Sequence, residues 1–128
     1  MKLLLDTQAF LWFLTDDPKL SGKAKVLIET PANVRLFSVA SLWEIAIKVS
    51  IGKLTLAKPY EHFLAEQLRL NDIILLDIRL EHTALVAKLP LHHRDPFDRL
   101  IAAQSLVENL PVISSDQGFD AYGVQRQW

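Results

Sequence analysis

Short apolar runs alternate with longer amphipathic stretches along this chain. Four of the apolar runs have the length of buried strands, and they lie at residues 2–5, 34–38, 73–76 and 112–114, with a weaker fifth candidate at 122–125. The intervening stretches predict helices over residues 7–14, 21–29, 40–51, 59–70, 79–88 and 96–108. Strands that alternate with helices are typical of an α/β fold, so we predict a short central parallel sheet of four to five strands with helices on both faces.

Composition narrows the class of protein. The chain has 128 residues, half of them hydrophobic, and no repeat or linker, so residues 1–128 are predicted to form a single domain. A net charge of −1 argues against a polybasic tail, and a nucleic-acid partner would require a local basic patch. The absence of cysteine excludes disulfides and thiolate chemistry and agrees with a cytoplasmic location. The apolar start is interrupted at Asp6 and Gln8, so we predict mature structure and no membrane association.

Four acidic residues stand where the chain leaves a predicted strand or enters a predicted helix. Asp6 follows the first strand directly, and Asp116 follows the fourth strand after one residue. Glu44 lies one turn into the helix after the second strand, and Asp98 lies in the first turn of the helix at 96–108. Parallel sheets bind ligands at the carboxyl ends of their strands, so we expect these four acids to converge.

Each acid also has an ordinary structural interpretation. Asp6 suits an N-cap, Asp116 suits a turn, and Asp98 suits a first helical turn, where the helix dipole favours a carboxylate. Asp95 precedes a proline at the first helical position and is predicted to cap that helix. Glu44 lies between apolar residues and requires a partner, because a buried unpaired carboxylate is costly.

A cluster of the four acids would favour a bound cation. Carboxylates that lie close together repel one another, and some stay protonated unless a cation holds them. Hard divalent ions such as Mg²⁺ and Mn²⁺ prefer oxygen ligands. Such an ion lowers the pKa of water and offsets the charge on phosphate, which suits phosphodiester hydrolysis without a serine, cysteine or histidine nucleophile.

Five stretches together resemble the PIN-domain nucleases, and most closely the VapC-type toxins of bacterial toxin–antitoxin modules. They are MKLLLDT, SVASLWEIAIK, GKL, HHRDPFDRLIAAQ and ISSDQGFDAYGV, and the resemblance covers nearly the whole chain. The resemblance implies a PIN-like three-layer sandwich with a catalytic metal site formed by Asp6, Glu44, Asp98 and Asp116. It also implies that Thr7 and Ser115 support this site by hydrogen bonds.

The activity implied by the resemblance is endoribonuclease cleavage of RNA that depends on Mg²⁺ or Mn²⁺. Asp6, Asp98 and Asp116 would hold the metal, and Glu44 would either ligate it or orient the nucleophile. Candidate RNA contacts, for which ordinary surface charge is the alternative, are Lys48, Lys53, Arg94 and Arg99. For Arg99 we also weigh a pairing with one of the acids. For His92 and His93 we favour an ordinary loop role over contact with RNA.

The stretch at residues 9–14 is apolar on every helical face, so part of it must be buried by another helix, a second subunit or a partner. The resemblance implies both a homodimer and a cognate antitoxin that covers the acidic site.

Two alternatives to the nuclease remain open at this point. One is a phosphoryl-transfer or phosphatase-like α/β domain, although Asp6 lacks a second acid beside it or two residues further on. The other is a non-catalytic PIN-like binding protein, although none of the four acids is missing. A nucleotide-binding module is disfavoured because both glycine-rich phosphate-binding motifs are absent.

Overall fold

The computed structural model describes all 128 residues and contains six α-helices, one 3₁₀ helix and five strands. The elements follow the chain in the order β1 (Lys2–Leu5), α1 (Thr7–Leu14), α2 (Gly22–Glu29), β2 (Val34–Ser38), α3 (Val39–Ser50), α4 (Tyr60–Leu70), β3 (Ile73–Leu76), α5 (Leu80–Lys88), α6 (Pro96–Glu108), β4 (Val112–Ile113), the 3₁₀ helix (Gln117–Tyr122) and β5 (Arg126–Gln127). The predicted alternation of strands and helices is confirmed.

All five strands are parallel and lie in the order β3-β2-β1-β4-β5. The central strand β1 pairs with β2 on one side and with β4 on the other, and Leu5 lies opposite both Phe37 and Ile113. The chain leaves β1 towards β2, whereas β4 lies on the other side of β1. The strand order therefore reverses between β1 and β4, and the carboxyl ends of these two strands flank the crevice where open α/β sheets bind ligands.

Two hydrophobic cores cover the two faces of the sheet. One core is built from the strands and helices α1 to α4, and the rings of Phe10 and Phe37 stack there with centroids 4.0 Å apart. The other core packs α6 and the 3₁₀ helix on the opposite face, around Leu4, Ile101 and Phe119. Helices therefore cover both faces, and the predicted three-layer architecture is confirmed.

Side-chain oxygens cap four of the helices by accepting backbone N–H groups, which the first turn of a helix otherwise leaves unpaired. The caps are Asp6 for α1, Ser21 for α2, Ser38 for α3 and Asp95 for α6. Asp6 and Asp95 thus have the capping roles that the sequence predicts. None of the helices combines the length and the apolar character needed to cross a membrane.

The last strand lies elsewhere than predicted. The sequence places it at residues 122–125, but the 3₁₀ helix extends to Tyr122 and β5 begins at Arg126. Asp116 starts this helix by accepting the N–H of Gly118, and Gly123 ends it with a φ of 76° that favours glycine. The prediction was wrong here because side-chain capping outweighed the strand propensity of a four-residue stretch.

Candidate metal centre

A cavity of about 190 Å³ is lined only by residues without a hydrophobic side chain. Its lining comprises Asp6, Thr7, Gln8, Glu44, Lys48, Asp98, Ser115 and Asp116. The structure therefore brings together all four acids that the sequence singles out. They come from four separate parts of the chain, which is the convergence expected at the carboxyl ends of parallel strands.

Asp6 and Asp116 both cap a helix and face this cavity. One oxygen of Asp6 accepts the N–H of Ala9 at 2.7 Å, and one oxygen of Asp116 accepts the N–H of Gly118 at 2.8 Å. Each carboxylate keeps a second oxygen, and Asp6 is only 6% exposed. A capping role and a place in the lining of the cavity are therefore compatible for both residues.

Glu44 has the partners that a largely buried carboxylate requires. Thr7 Oγ1 donates a hydrogen bond to Glu44 Oε1 at 2.7 Å. Lys48, one helical turn further along α3, places its Nζ 3.1 Å from Glu44 Oε2. The two oxygens of Glu44 are thus held from two different helices, and Thr7 lies beside the site, where the resemblance predicts it.

The side chains of Asp95 and Asp98 have different surroundings, although the residues lie three positions apart. Asp95 Oδ1 accepts the N–H groups of Phe97 at 2.8 Å and Asp98 at 3.2 Å, so Asp95 caps α6. The side chain of Asp98 instead faces the cavity. Burial raises the pKa of Asp98 to about 7, and the charge of Asp95 adds to this effect.

Burial disfavours the charged form of two acids that line the cavity, Asp6 and Asp98. Burial raises the pKa of Asp6 to about 6, although a hydrogen bond with the Ser114 side chain opposes this effect. Burial also tends to raise the pKa of Asp116, but hydrogen bonds from His93 and from the N–H of Gly118 lower it on balance. The raised pKa of Asp98 and the lowered pKa of Asp116 show that the acids of the cavity have different electrostatic surroundings.

His93 contacts two of the cavity acids, and the sequence did not indicate these contacts. Its Nε2 is 2.8 Å from Asp116 Oδ2 and 3.4 Å from Asp98 Oδ2. A potential ligand atom from each of these three residues lies within 4.8 Å of the others. The predicted ordinary loop role of His93 was wrong, because a loop has no periodicity from which the direction of a side chain can be read.

The hydrogen bonds predicted for Ser115 are made by Ser114. Ser114 is fully buried, its Oγ accepts the N–H of Asp116 at 2.9 Å, and its side chain also bonds to Asp6. Ser115 lines the cavity but is exposed and makes no side-chain hydrogen bond. The correction follows from the alternation of side chains past the end of β4, which turns neighbouring residues to opposite sides.

Similarity to a known family covers nearly the whole chain. The family profile described as PIN domain matches residues 3–125. The chain belongs to the PIN domain family. Among curated proteins, none matches this PIN domain in sequence.

Solved structures share the fold of this PIN domain at low sequence identity. A chain of VapBC2 from Rickettsia felis, bound to a DNA fragment from its promoter, aligns with a TM-score of 0.72 and 18% identity over 99% of this chain and 98% of that one. VapBC-1 from nontypeable Haemophilus influenzae aligns with a TM-score of 0.68 and 19% sequence identity over 99% of this chain and 97% of that one. VapBC-5 from Mycobacterium tuberculosis, described as a member of a family of toxin–antitoxin systems, aligns with a TM-score of 0.60 and 22% sequence identity over 98% of this chain and 95% of that one.

Arg99 makes structural contacts instead of the phosphate contact or acid pair predicted for it. Its guanidinium donates to the carbonyl oxygens of Val86, Leu89 and Pro90 at 3.0 to 3.3 Å and to Tyr122 Oη at 3.1 Å. Two of these carbonyls belong to the last turn and C-cap of α5, where backbone oxygens lack helical partners. Arg99 therefore caps α5 and ties the following loop to the 3₁₀ helix of the PIN domain.

The other predicted RNA-contacting residues lie in different surroundings. Lys48 lines the acidic cavity, as described, whereas Lys53 is exposed beside a larger groove. Arg94 is exposed next to His93 and makes no side-chain hydrogen bond or ion pair. These three cations are accessible, and their contact with RNA stays a prediction.

A groove of about 760 Å³ adjoins the acidic cavity of this PIN domain. Its lining is largely apolar and includes Leu11, Trp12 and Leu14 of α1. Gln8 and Lys48 line both the groove and the cavity, so the two are continuous. The apolar faces of α1 are thus partly packed on the core and partly directed into this groove.

Proposed function

We propose that this PIN domain is a metal-dependent endoribonuclease. The observation that carries the proposal is the convergence of Asp6, Glu44, Asp98 and Asp116 in one small cavity lined entirely by polar and charged side chains. Such a cavity offers several carboxylate oxygens and no serine–histidine or cysteine nucleophile of the kind that covalent hydrolases use.

The donor set fits a hard divalent cation such as Mg²⁺ or Mn²⁺. Burial raises the pKa of both Asp6 and Asp98, which means that their negative charge lacks compensation inside the protein. A water molecule takes up roughly 30 Å³, so a cavity of about 190 Å³ has room for a cation together with several waters. Asp6, Asp98 and Asp116 are the residues we assign as ligands, with Glu44 as a fourth acid of the site.

The side chains of the cavity can divide the work of phosphodiester hydrolysis. A divalent cation held there by the carboxylates would lower the pKa of water and offset negative charge on the phosphate and on the departing 3′ oxygen. Glu44, held by Thr7 and Lys48, orients the water that attacks phosphorus. The Lys48 ammonium contacts a phosphate oxygen at the junction of the cavity and the groove.

The test is cleavage of a mixed-sequence single-stranded RNA with Mn²⁺ or Mg²⁺, run beside Asp98→Asn and Glu44→Gln. We expect cleavage by the parent, its loss in EDTA, and a drop of at least about 100-fold in either variant. Asp72→Asn is the matched control, because Asp72 lies on a turn outside the cavity. Metal binding without cleavage of any RNA would instead identify a non-catalytic PIN-like binding protein.

We further propose that the chain is the toxin of a toxin–antitoxin pair and that its groove binds the antitoxin. The relatives of known fold are VapBC assemblies, and the groove offers an apolar surface along α1 that ends at the acidic cavity. A segment with apolar side chains and a terminal cationic group is complementary to both parts. Such a segment would cover the acids and prevent RNA from entering.

The antitoxin proposal predicts that a small antitoxin protein is encoded beside this chain, and the test uses that protein. We expect that protein to bind the parent and to suppress cleavage. Ala57→Arg places a long side chain in the groove at an exposed position, and we expect it to weaken binding by at least about tenfold. Val26→Arg, on an exposed position of α2 outside the groove, is the control. Equal binding by both variants would contradict the groove as the antitoxin site.

The homodimer and the cytoplasmic location stay predictions. Exposed apolar side chains on and beside the edge strand β3, comprising Ile74, Leu75, Ile78 and Leu80, support a second copy of the chain as a partner.

A further inference from the structure

The ring of His93 lies against three acidic residues, two of which line the cavity. Its ring contacts Asp116 and Asp98 through Nε2 and the backbone of Asp95 through Nδ1. We propose that His93 is a positioning residue of the metal site, which fixes the Asp116 carboxylate without ligating the cation. This inference rests on the proposed metal-dependent function.

The backbone assigns the tautomer of His93. The N–H of Asp95 donates to His93 Nδ1 at 3.1 Å, and an N–H group can donate only to a ring nitrogen that carries no proton. The proton of the neutral ring therefore lies on Nε2, where it points to Asp116 Oδ2 at 2.8 Å. His93 is consequently a hydrogen-bond donor to the acids.

This arrangement is the reverse of the one that metal-ligating histidines show. A ligating histidine presents its unprotonated nitrogen to the ion and donates the other N–H to a carboxylate or carbonyl. In His93 the unprotonated nitrogen faces a backbone donor, and the protonated nitrogen faces the cavity acids. Hence His93 does not complete a ligand set with Asp98 and Asp116, although their potential ligand atoms lie within 4.8 Å of one another.

The loop that carries His93 is held in place from two sides. Tyr122 Oη accepts the backbone N–H of His93 at 2.9 Å and that of His92 at 3.1 Å, and Arg99 donates to the same oxygen. A Cβ at Gly118 would lie 2.6 Å from His93 Cδ2, so a residue without a side chain is needed there. The ring therefore has little freedom to leave Asp116.

The consequence is a carboxylate whose two oxygens are both oriented. Asp116 Oδ1 accepts the N–H of Gly118, and Oδ2 accepts the Nε2–H of His93. Each oxygen has a second lone pair, so Asp116 keeps the capacity to bind a cation while its rotation is prevented. Hydrogen bonds of this kind to a ligand typically change metal affinity by roughly 10–100-fold when they are removed.

The first experiment is calorimetric titration of Mn²⁺ into the full chain. His93→Phe keeps a ring of similar size and removes both nitrogens, and we expect its affinity to fall by roughly 10–100-fold. His93→Gln, which retains a donor N–H, is expected to recover part of this loss. The matched control is His92→Phe, because His92 is exposed and packs at a tilt against Tyr122 without reaching the acids. This variant should bind Mn²⁺ within about twofold of the parent.

The variants are interpreted only with their folding recorded by circular dichroism and thermal melting in EDTA. Equal Mn²⁺ affinity in the parent and in a folded His93→Phe overturns the inference. Tighter binding in His93→Phe also overturns it, because His93 would then compete with the cation for Asp116.

Pulsed electron paramagnetic resonance of the Mn²⁺-loaded parent separates positioning from ligation. We expect no coupling of the size that a directly bound imidazole nitrogen produces, and such a coupling would overturn the inference. A parent that fails to bind Mn²⁺ would contradict the metal-dependent function as well. A parent that binds and a His93→Phe variant that binds equally would contradict only the role of His93.

Discussion

Thr7 Oγ1 donates a hydrogen bond of 2.7 Å to Glu44 Oε1, and this bond joins the first residue of α1 to the middle of α3. Thr7 is 5% exposed, so water does not readily replace it as a donor. The bond connects two helices whose separate N-termini follow neighbouring strands, and it sets the orientation of one acid relative to the other three.

We expect Thr7→Val to weaken Mn²⁺ binding and RNA cleavage by roughly tenfold, because Glu44 loses a donor at constant side-chain volume. Thr7→Ser keeps the hydroxyl and should stay within a few-fold of the parent. Calorimetry for Mn²⁺ and a cleavage assay measure the two effects. If Thr7→Val cleaved RNA as the parent does, the bond would be a helix contact without a role in the site.

Asp98→Asn should separate stability from activity. Burial and the charge of Asp95 disfavour an ionised Asp98 in the metal-free protein, as its raised pKa of about 7 indicates. The amide carries no charge, so the melting temperature in EDTA should hold or rise at pH 8 while RNA cleavage disappears. A large loss of stability would mean that Asp98 contributes chiefly to the first turn of α6.

The stability of the metal-free protein should fall as the pH rises towards neutrality. The folded-state pKa values of Asp6 and Asp98 are raised to about 6 and about 7, from 3.8 for the unperturbed side chain. Between these limits the folded protein retains protons that the unfolded chain has released. The stability associated with these protons is therefore complete below about pH 4 and is lost as the pH passes 6 and 7.

Urea unfolding in EDTA from pH 4.5 to pH 8 measures this dependence. His93, whose pKa the hydrogen bond to Asp116 raises, contributes in the same direction, so the informative comparison is with Asp98→Asn. The variant should show a shallower decline than the parent, and identical declines would contradict the shift at Asp98. The Mn²⁺ affinity of the parent should rise over the same interval, because binding displaces the retained protons.

We expect Arg99 to contribute to the stability of the fold and Arg94 to contribute little to it. Arg99→Lys loses several of the four contacts that cap α5 and hold the loop, and we expect the free energy of unfolding to fall by about 1.5–3 kcal/mol. Arg94→Ala removes an exposed cation without partners and should leave stability within about 0.5 kcal/mol. Chemical denaturation measures the free energy of unfolding of both variants.

RNA binding provides a separate test of Arg94. If Arg94 contacts phosphate, Arg94→Ala should weaken RNA binding and reduce its dependence on salt concentration, as measured with a variant that lacks cleavage such as Asp98→Asn. Unchanged binding and salt dependence would leave Arg94 as an ordinary surface charge.

The predicted homodimer is tested by analytical ultracentrifugation at tens of micromolar. Strand β3 lies at the edge of the sheet. Ile74 on this strand is 55% exposed, and Leu80 beside it is 81% exposed. We expect a dimer for the parent and a monomer for Ile74→Lys combined with Leu80→Lys. Val26→Lys, at an exposed apolar position on α2, should remain dimeric. A monomeric parent would refute the dimer, and a dimeric double variant would refute this surface.

Much of the fold and of the acid cluster could be predicted from the sequence because the determining signals are local. The apolar runs identified β1 to β4 within one residue, and the sequence order of strands and helices indicated a parallel sheet. Asp95 and Asp98 could be assigned different roles because a cap and the following proline act within one helical turn. The convergence of Asp6, Glu44 and Asp116 followed from the geometry of parallel sheets together with the family resemblance.

Only the tertiary structure decided where the loop side chains point. His93 reaches Asp116 because Tyr122 holds its backbone and Gly118 leaves space for its ring, and both partners lie more than 20 residues away. For Arg99 the sequence leaves a contact at the site and an ordinary surface position open, but helical geometry turns successive residues about 100° apart and directs its side chain to the end of α5. Contacts between residues distant in sequence leave no periodic pattern, so these side chains could be assigned only once the chain had folded around them.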